Sequence, residues 1–153
     1  MSLFGTAPAH FERDRNVADS IVYTCGTFDL FHIGHLRILE AARAFGETLI
    51  VAVSTDDLVE SYKGVKPSVP FEERLEIVSS IKGVDVAIPQ RSQDKVAAWK
   101  RIGFDVWVVG DDWFDSDKYQ GYRRELGEHG VRSVFLPYTA GVSSTVRRAA
   151  NVS

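Results

Sequence analysis

Short apolar runs rich in β-branched residues alternate with helix-period segments along almost the whole chain. This alternation constrains the fold more than any other feature. Five runs predict strands, at 20–25, 48–54, 84–89, 104–110 and 132–137. The second is continuously apolar, which is typical of a strand covered on both faces. Such a βαβ rhythm predicts an α/β fold, a doubly wound, five-stranded parallel sheet with helices on both faces.

The segments between these runs carry helix start and stop signals. Helices are predicted over 35–46, 70–83, 92–103, 119–130 and 143–150. Ser92 is the expected N-cap of the third, and Gly83 the stop of the second. The longest unassigned stretch, 55–69, is predicted to be a mobile active-site loop. In sheets of this class, ligands bind beyond the carboxyl ends of the strands, where the strand order reverses.

Charge and composition exclude several classes of partner. The net charge of -3 argues against nucleic acid, which needs a concentrated basic surface. No apolar run approaches the ~20 residues of a membrane span, and the first residues do not have the pattern of a signal peptide. The single cysteine, Cys25, cannot form an internal disulfide, which fits a cytoplasmic protein. We expect a loosely ordered tail at 1–19 and one domain over 20–150.

Two of the four histidines lie in GTFDLFHIGH, residues 26–35, directly behind the first predicted strand. Gly26 lets the chain turn, and a helix that begins behind it offers backbone N–H groups to an anion. His32 and His35 can face one side of that helix, with Gly34 letting a ligand approach the backbone. The structural alternative is that His32 caps the helix and His35 packs. At this junction the pattern favours a polyphosphate site.

This segment resembles the opening of a known family. His32-Ile33-Gly34-His35 matches the HxGH signature of the nucleotidyltransferase superfamily, and YTCGTFDLFHIGHLRILEAA is similar to the start of its cytidylyltransferases. The resemblance continues in LIVAVSTDD at 49–57, FEER at 71–74, VVGDDW at 108–113 and TAGVSST at 139–145. It covers about residues 20–150 and implies a Rossmann-like nucleotidyltransferase domain over that range.

The resemblance implies transfer of a nucleoside monophosphate, in which a substrate phosphate attacks the α-phosphorus of a nucleoside triphosphate and pyrophosphate leaves. Within the family, the Gly-Asp-Asp-Trp form is similar to that of members acting on glycerol 3-phosphate. We therefore expect CMP transfer from CTP, with Mg²⁺, to a small polyol phosphate, giving CDP-glycerol. Since the nucleophile is an anionic phosphate, catalysis needs positioning and charge neutralisation rather than a strong base. The family also implies a homodimer.

The resemblance assigns roles to individual residues. His32 and His35 would donate hydrogen bonds to phosphoryl oxygens, Asp112 would read the amino group of the base, and Asp29 would orient the site. Lys63 and Lys66 are implied as catalytic phosphate contacts. The implied nucleotide-binding residues are Gly26, Thr27, Phe28, Asp29, Gly34, Arg74, Asp111, Asp112, Trp113, Thr139, Gly141, Ser143, Ser144 and Thr145. The acceptor's phosphate would bind Lys63, Lys82 and Lys95. No metal-ligand set is expected from the protein.

The chain departs from the family pattern in two places. The spacing of the two loop lysines is one residue longer than expected. Where the family carries Arg-Thr, this chain has Tyr138-Thr139. Either Arg147 or Arg148 substitutes for the missing triphosphate contact, or the nucleotide or acceptor has changed. Two alternatives stay open: an adenylyltransferase of the same superfamily acting on another phosphorylated substrate, and a nucleotide-binding protein whose catalysis has decayed.

Overall fold

The computed structural model describes residues 20–137, which form five strands, five α-helices and one 3₁₀ turn. The strands are β1 (Ile21–Gly26), β2 (Thr48–Ser54), β3 (Val86–Gln90), β4 (Val106–Gly110) and β5 (Arg132–Leu136). The helices are α1 (Ile33–Arg43), α2 (Asp56–Lys63), α3 (Phe71–Ser79), α4 (Lys95–Ile102) and α5 (Asp117–Glu128), with the 3₁₀ turn at Asp111–Trp113. The predicted tail at 1–19 and helix at 143–150 lie outside the described residues.

The strands pair in the order β3-β2-β1-β4-β5, all parallel. This confirms the predicted five-stranded α/β sheet, and the order reverses between β1 and β4. The β1–β2 register runs along the whole of β1, whereas the β1–β4 register stops at Tyr23↔Trp107. Beyond that point the Thr24 hydroxyl donates to the Val108 carbonyl at 2.8 Å. The sheet therefore opens at the carboxyl end of β1, on the side of β4.

Alternate residues of the central strands pack into two separate cores. On one face, Tyr23 and Trp107 pack with the buried sides of α4 and α5. On the other, Val22 and Val51 pack with Leu39 of α1 and with α3. Side chains of successive strand residues point to opposite faces, so the continuously apolar β2 fills both cores. The helices thus cover both faces, as the sequence predicted.

Two helices begin where a side chain caps them rather than where the apolar periodicity begins. α1 begins two residues before the predicted start at 35, because His32 caps it. Asp94, and not Ser92, caps α4, with its carboxylate accepting from two N–H groups of the first turn at 3.0 and 3.1 Å. A carboxylate satisfies helix-start donors as well as a hydroxyl does. The predicted cap was therefore two residues too early.

Other boundaries also differ from the prediction by a few residues. α3 ends at Ser79, ahead of the predicted stop at Gly83. β3 continues through Pro89 to Gln90, because it is an edge strand of the described sheet, where a residue without an N–H removes no ladder bond. α5 runs unbroken over Asp117–Glu128 in spite of the glycines within it. Tertiary packing outweighs the weak helix propensity of glycine there.

The predicted loop at 55–69 contains a helix, and the expectation of a structureless segment is wrong over 56–63. Thr55 caps α2 by accepting from the Leu58 N–H at 3.2 Å. Two aspartates occupy the first turn, where they complement the helix dipole. Gly64, with φ of 78°, ends the helix in the left-handed conformation. All of these signals are local in the sequence, but α2 has only eight residues and a short apolar face.

Candidate functional site

A cleft of about 630 Å³ opens at the carboxyl edge of the sheet. Its lining comes from the ends of β1 to β4, the first turn of α1, α2, and the segment that follows α2. This is the place where the strand order reverses, as expected for a doubly wound sheet. The predicted residues Gly26, Thr27, Phe28, Asp29 and Gly34 all line it.

The turn between β1 and α1 is tight and uses left-handed backbone at two residues that are not glycine. Phe28 has φ of 54° and Leu30 has φ of 50°. Such conformations cost about 1–3 kcal/mol each and cluster at functional sites. Gly26 is needed for a reason other than the predicted turn conformation. A Cβ at this position would lie 3.2 Å from the ring of Phe28, so glycine admits the ring.

His32 and His35 form a capping box at the start of α1. His32 Nδ1 accepts from the Gly34 N–H at 3.0 Å, and His35 Nδ1 accepts from the His32 N–H at 3.2 Å. The two rings are stacked, with centroids 4.0 Å apart. A nitrogen that accepts a hydrogen bond carries no proton, so the proton of each ring lies on Nε2. Both residues also line the cleft, so capping and pocket formation are performed by the same side chains.

The charge state of His35 follows from its surroundings. Burial, followed by the neighbouring His32, lowers the pKa of His35 to about 4, against a smaller opposing effect of Asp29. His35 is therefore neutral near pH 7. A neutral imidazole whose Nδ1 accepts a hydrogen bond still donates one through Nε2–H.

Asp29 holds the segment that follows α2. Its two carboxylate oxygens accept from the backbone N–H groups of Ser68 and Val69 at 2.8 and 2.9 Å. The side chain is buried with its residue only 6% exposed. This arrangement suits the orienting role that we expected and leaves the carboxylate engaged at both oxygens.

Arg74 lies behind the cleft wall, and the prediction that it faces the nucleotide is corrected. Its side chain is fully buried. The guanidinium donates to the carbonyls of Thr27, Ser54 and Val69 at 2.7–2.8 Å and pairs with Asp56 at 2.6 Å. Arg74 therefore joins the ends of β1 and β2 to the starts of α2 and α3. A fork of donors is needed for this, because lysine cannot reach several carbonyls in fixed directions.

Lys63 and Lys66 lie on the exposed side of the cleft. Lys63 is the last residue of α2, Lys66 follows it by three residues, and both line the cleft. Tyr62 of the same helix brings its hydroxyl to 3.4 Å from the hydroxyl of Thr27. The end of α2 and the segment that follows it thus place two lysines in the lining of the cleft that the histidines also border.

The turn after β4 brings some, but not all, of the predicted residues to the cleft. Asp112 and Trp113 line it, whereas Asp111 is exposed and does not. Successive residues of a 3₁₀ turn point in different directions, so the sequence alone does not show which of the three face the cleft. Burial, and secondarily Asp111, raises the pKa of Asp112. Trp113 stacks on Tyr119 with ring centroids 4.6 Å apart.

Of the three lysines predicted to bind the acceptor, Lys63 and Lys95 line the cleft and Lys82 does not. Lys95 begins α4, is 1% exposed and lines the cleft, with Nζ 5.6 Å from the centre of the Tyr119 ring. Lys82 is exposed and lies in the connection that leads into the amino end of β3. That edge of a parallel sheet is opposite the cleft, so the prediction for Lys82 is wrong.

Several lining residues were missed from the sequence. Ser54 and Gln90 occupy the carboxyl ends of β2 and β3, and Tyr119 comes from the first turn of α5. The ends of β2 and β3 were a usable signal, since carboxyl ends of parallel strands meet at one edge. Tyr119 could not be predicted in this way, because its place in the lining of the cleft depends on how α5 packs against the sheet.

The predicted phosphate clamp lies outside the described residues. This applies to Thr139, Gly141, Ser143, Ser144 and Thr145, and equally to the departure at Tyr138. Over 20–137, no group of three or more His, Cys, Asp or Glu side chains could hold a metal ion. In the same range, every helix is too short or too polar to cross a bilayer.

Comparison with known proteins identifies close relatives. The sequence profile of the family described as "Cytidylyltransferase-like" matches residues 23–150. The glycerol-3-phosphate cytidylyltransferase of Bacillus spizizenii is 37% identical, over 81% of this chain and 91% of the relative. That of Bacillus subtilis is 38% identical with the same coverage. A lipopolysaccharide core biosynthesis protein of Thermoplasma volcanium shares the fold, with a TM-score of 0.65, 23% identity, and 78% and 96% of the two chains covered.

Proposed function

Because the chain belongs to the cytidylyltransferase-like family, we propose that it transfers CMP from CTP to glycerol 3-phosphate. A phosphate oxygen of glycerol 3-phosphate forms a bond to the α-phosphorus of CTP while the bond to the pyrophosphate oxygen breaks. The products are CDP-glycerol and pyrophosphate. The named activity of relatives that match over nine-tenths of their length supports this choice of substrates.

The observation that carries the reaction type is the stacked pair His32 and His35. Both rings have Nδ1 committed to backbone N–H groups, which directs the protonated Nε2 away from the helix start. Neutral donors fixed in this way can bind the phosphoryl oxygens on which negative charge accumulates as the bond to pyrophosphate breaks. The acceptor phosphate is already anionic, so no residue needs to remove a proton.

In this proposal, cationic side chains bind the negatively charged phosphates of CTP and of the acceptor. Lys63 and Lys66 contact the phosphates of CTP from the α2 side, and Lys95 binds the phosphate of the acceptor. Asp112 and Trp113 hold the cytosine. Mg²⁺ enters with CTP in this proposal. Thr139, Gly141, Ser143, Ser144 and Thr145 remain proposed contacts of the triphosphate. The protein would act in the cytoplasm as a homodimer.

Pyrophosphate release measured with two nucleotides and several acceptors tests this function. CTP or ATP with Mg²⁺ would be combined with glycerol 3-phosphate, a sugar phosphate and an amino-alcohol phosphate. We expect pyrophosphate and CDP-glycerol only where CTP meets glycerol 3-phosphate. Turnover with ATP in place of CTP would favour an adenylyltransferase. CTP binding by calorimetry without any pyrophosphate release would favour a protein whose catalysis has decayed.

A further inference from the structure

The β2–β3 wall of the cleft, formed by Ser54, Gln90 and Lys95, differs chemically from the rest of the lining. Among the lining residues of the described chain, the carboxylates are Asp29 in the β1 turn and Asp112 in the β4 turn. The β2–β3 wall holds one hydroxyl, one amide and one ammonium group. Such a wall has no group that attracts a cation.

The amide of Gln90 has a fixed direction. The Ser54 hydroxyl donates to Gln90 Oε1 at 2.9 Å, and the two residues are only 3% and 5% exposed. With the oxygen occupied, the amide nitrogen is the polar group that remains for the cleft. It makes no hydrogen bond to any residue within 20–137. The two N–H groups of this amide line the cleft, so they are donors that the oxygen atoms of a ligand in the cleft can accept.

Lys95 also favours a ligand with oxygen atoms at this wall, because its ammonium group attracts an anion. Its side chain is 1% exposed, and within the described chain it lies against the Tyr119 ring rather than a carboxylate. A buried ammonium without an anionic partner is costly unless an anion binds beside it. The wall therefore combines a site for one anion with donors for neutral oxygen atoms.

We propose that Gln90, oriented by Ser54, is a specificity residue for the acceptor. Its N–H groups donate to oxygen atoms of the alcohol part while Lys95 binds the phosphate. The cleft then selects phosphate esters of uncharged polyols over esters of amino alcohols, whose ammonium group would face N–H donors and a second cation. This inference rests on the proposed function and adds the residue and the class of acceptor that it excludes.

Two substitutions at Gln90 test this directly, with CTP saturating and the acceptor varied. Gln90→Met keeps a similar shape and removes the donors, so we expect the KM for glycerol 3-phosphate to rise about 10-fold or more and the KM for CTP to change less than about twofold. Gln90→Glu places a carboxylate on the wall. We expect the ratio of kcat/KM for glycerol 3-phosphate over phosphoethanolamine to fall at least about 10-fold.

Two further variants separate recognition from folding and from general charge. Ser54→Ala leaves Gln90 in place but removes the hydrogen bond that orients its amide. We expect the KM for the acceptor to rise about 2–10-fold. Gln93→Glu makes the same charge change at the rim of the cleft, where the Gln93 amide oxygen accepts from Lys118 at 3.4 Å. It should shift the acceptor ratio by less than about threefold.

Each outcome decides between the two proposals. Acceptor KM values within about twofold of the parent in Gln90→Met and Ser54→Ala overturn the role of Gln90 and leave the proposed function standing. An equal shift of the acceptor ratio in Gln93→Glu also overturns it. A parent protein that releases no pyrophosphate with CTP and glycerol 3-phosphate overturns the proposed function and this inference together.

Discussion

The two nitrogens of His35 have different tasks, and a single substitution can separate them. Asparagine places its Oδ1 near the position of Nδ1, so His35→Asn keeps the acceptor for the His32 N–H but removes the Nε2–H donor. We expect kcat to fall about 10²–10³-fold, as for loss of one donor to a developing oxyanion, with KM for CTP changed much less. His35→Ala loses both tasks and should also unfold at lower temperature. Steady-state kinetics with a thermal melt distinguish these effects, and an Asn variant with parental kcat removes His35 from the mechanism.

The low pKa of His35 predicts how stability depends on pH. In the unfolded chain a histidine titrates near 6.5, whereas burial and His32 lower the pKa of His35 to about 4 in the folded protein. Protons therefore bind the unfolded chain first. The stability contributed by the neutral ring is complete above pH about 6.5 and is lost as the pH falls toward about 4.

Urea unfolding of the parent and of His35→Asn at pH 7 and pH 5 measures this contribution. The parent should lose more free energy of unfolding between the two pH values than the variant does. An NMR titration of the His35 ring should give a flat signal from pH 8 down to about pH 5.5. Equal losses in the two proteins, or a ring that titrates near 6.5, contradict the assignment.

At the scale of elements, Arg74 is the residue on which α2, α3 and two strand ends depend. Arg74→Met removes the donor of three carbonyls and the ion pair of Asp56, whose side chain is 29% exposed. Since breaking a fully buried pair costs about 3–5 kcal/mol, we expect a loss of about 3 kcal/mol. The exposed pair Arg37–Glu40 has nearly the same length, 2.7 Å, and is the matched control. Arg37→Met should cost at most about 1 kcal/mol. Urea unfolding compares them, and similar losses would show that the buried network contributes little.

The end of α2 offers a second test, in which two glycines differ only in their backbone. A Cβ at Gly64 or at Gly127 would meet no atom within 4 Å, but Gly64 has φ of 78° whereas Gly127 lies inside α5. Gly64→Ala should cost about 1–2 kcal/mol, because alanine is strained in the left-handed region. Gly127→Ala should stabilise the fold by about 0.5–1 kcal/mol. The same sign for both substitutions, measured by thermal melts, contradicts this reasoning.

The elements also show what could be read from the sequence and what could not. The strand at 48–54 was predicted to the residue, because a strand buried on both faces leaves a continuous apolar signature. α2 was missed, since its start and stop signals flank a segment with little apolar surface. At the site, His32 and His35 line the cleft as their position at the first strand–helix junction predicted, and Lys95, which the resemblance implied, lines it too. Arg74 and Asp111 were misplaced, since side-chain direction depends on packing and on turn geometry.

At the scale of the whole molecule, a ligand that binds only the folded chain must stabilise all of it. At a CTP concentration about 100 times its Kd, the free energy of unfolding should rise by about 2.7 kcal/mol. For a chain of 153 residues this corresponds to a rise in Tm of about 5–10 °C. ATP at the same concentration is the control and should raise Tm much less. Equal shifts by both nucleotides contradict the expected selection of cytosine.

The early end of the β1–β4 register has a mechanical consequence. β1 is joined to β2 along its full length but to β4 only over its first half, where Tyr23↔Trp107 is the last pair and the Thr24 hydroxyl bridges to Val108. The carboxyl halves of β1 and β4 are therefore less tightly joined than β1 and β2, and the cleft lies between these two strand ends. Beyond the last β1–β4 pair, the hydrogen bond from the Thr24 hydroxyl to the Val108 carbonyl links the two strands beside the cleft. Thr24→Val keeps the shape of the side chain and removes this hydrogen bond. It should speed amide hydrogen exchange at the carboxyl ends of β1 and β4, while the amides that pair β1 with β2 exchange as slowly as before.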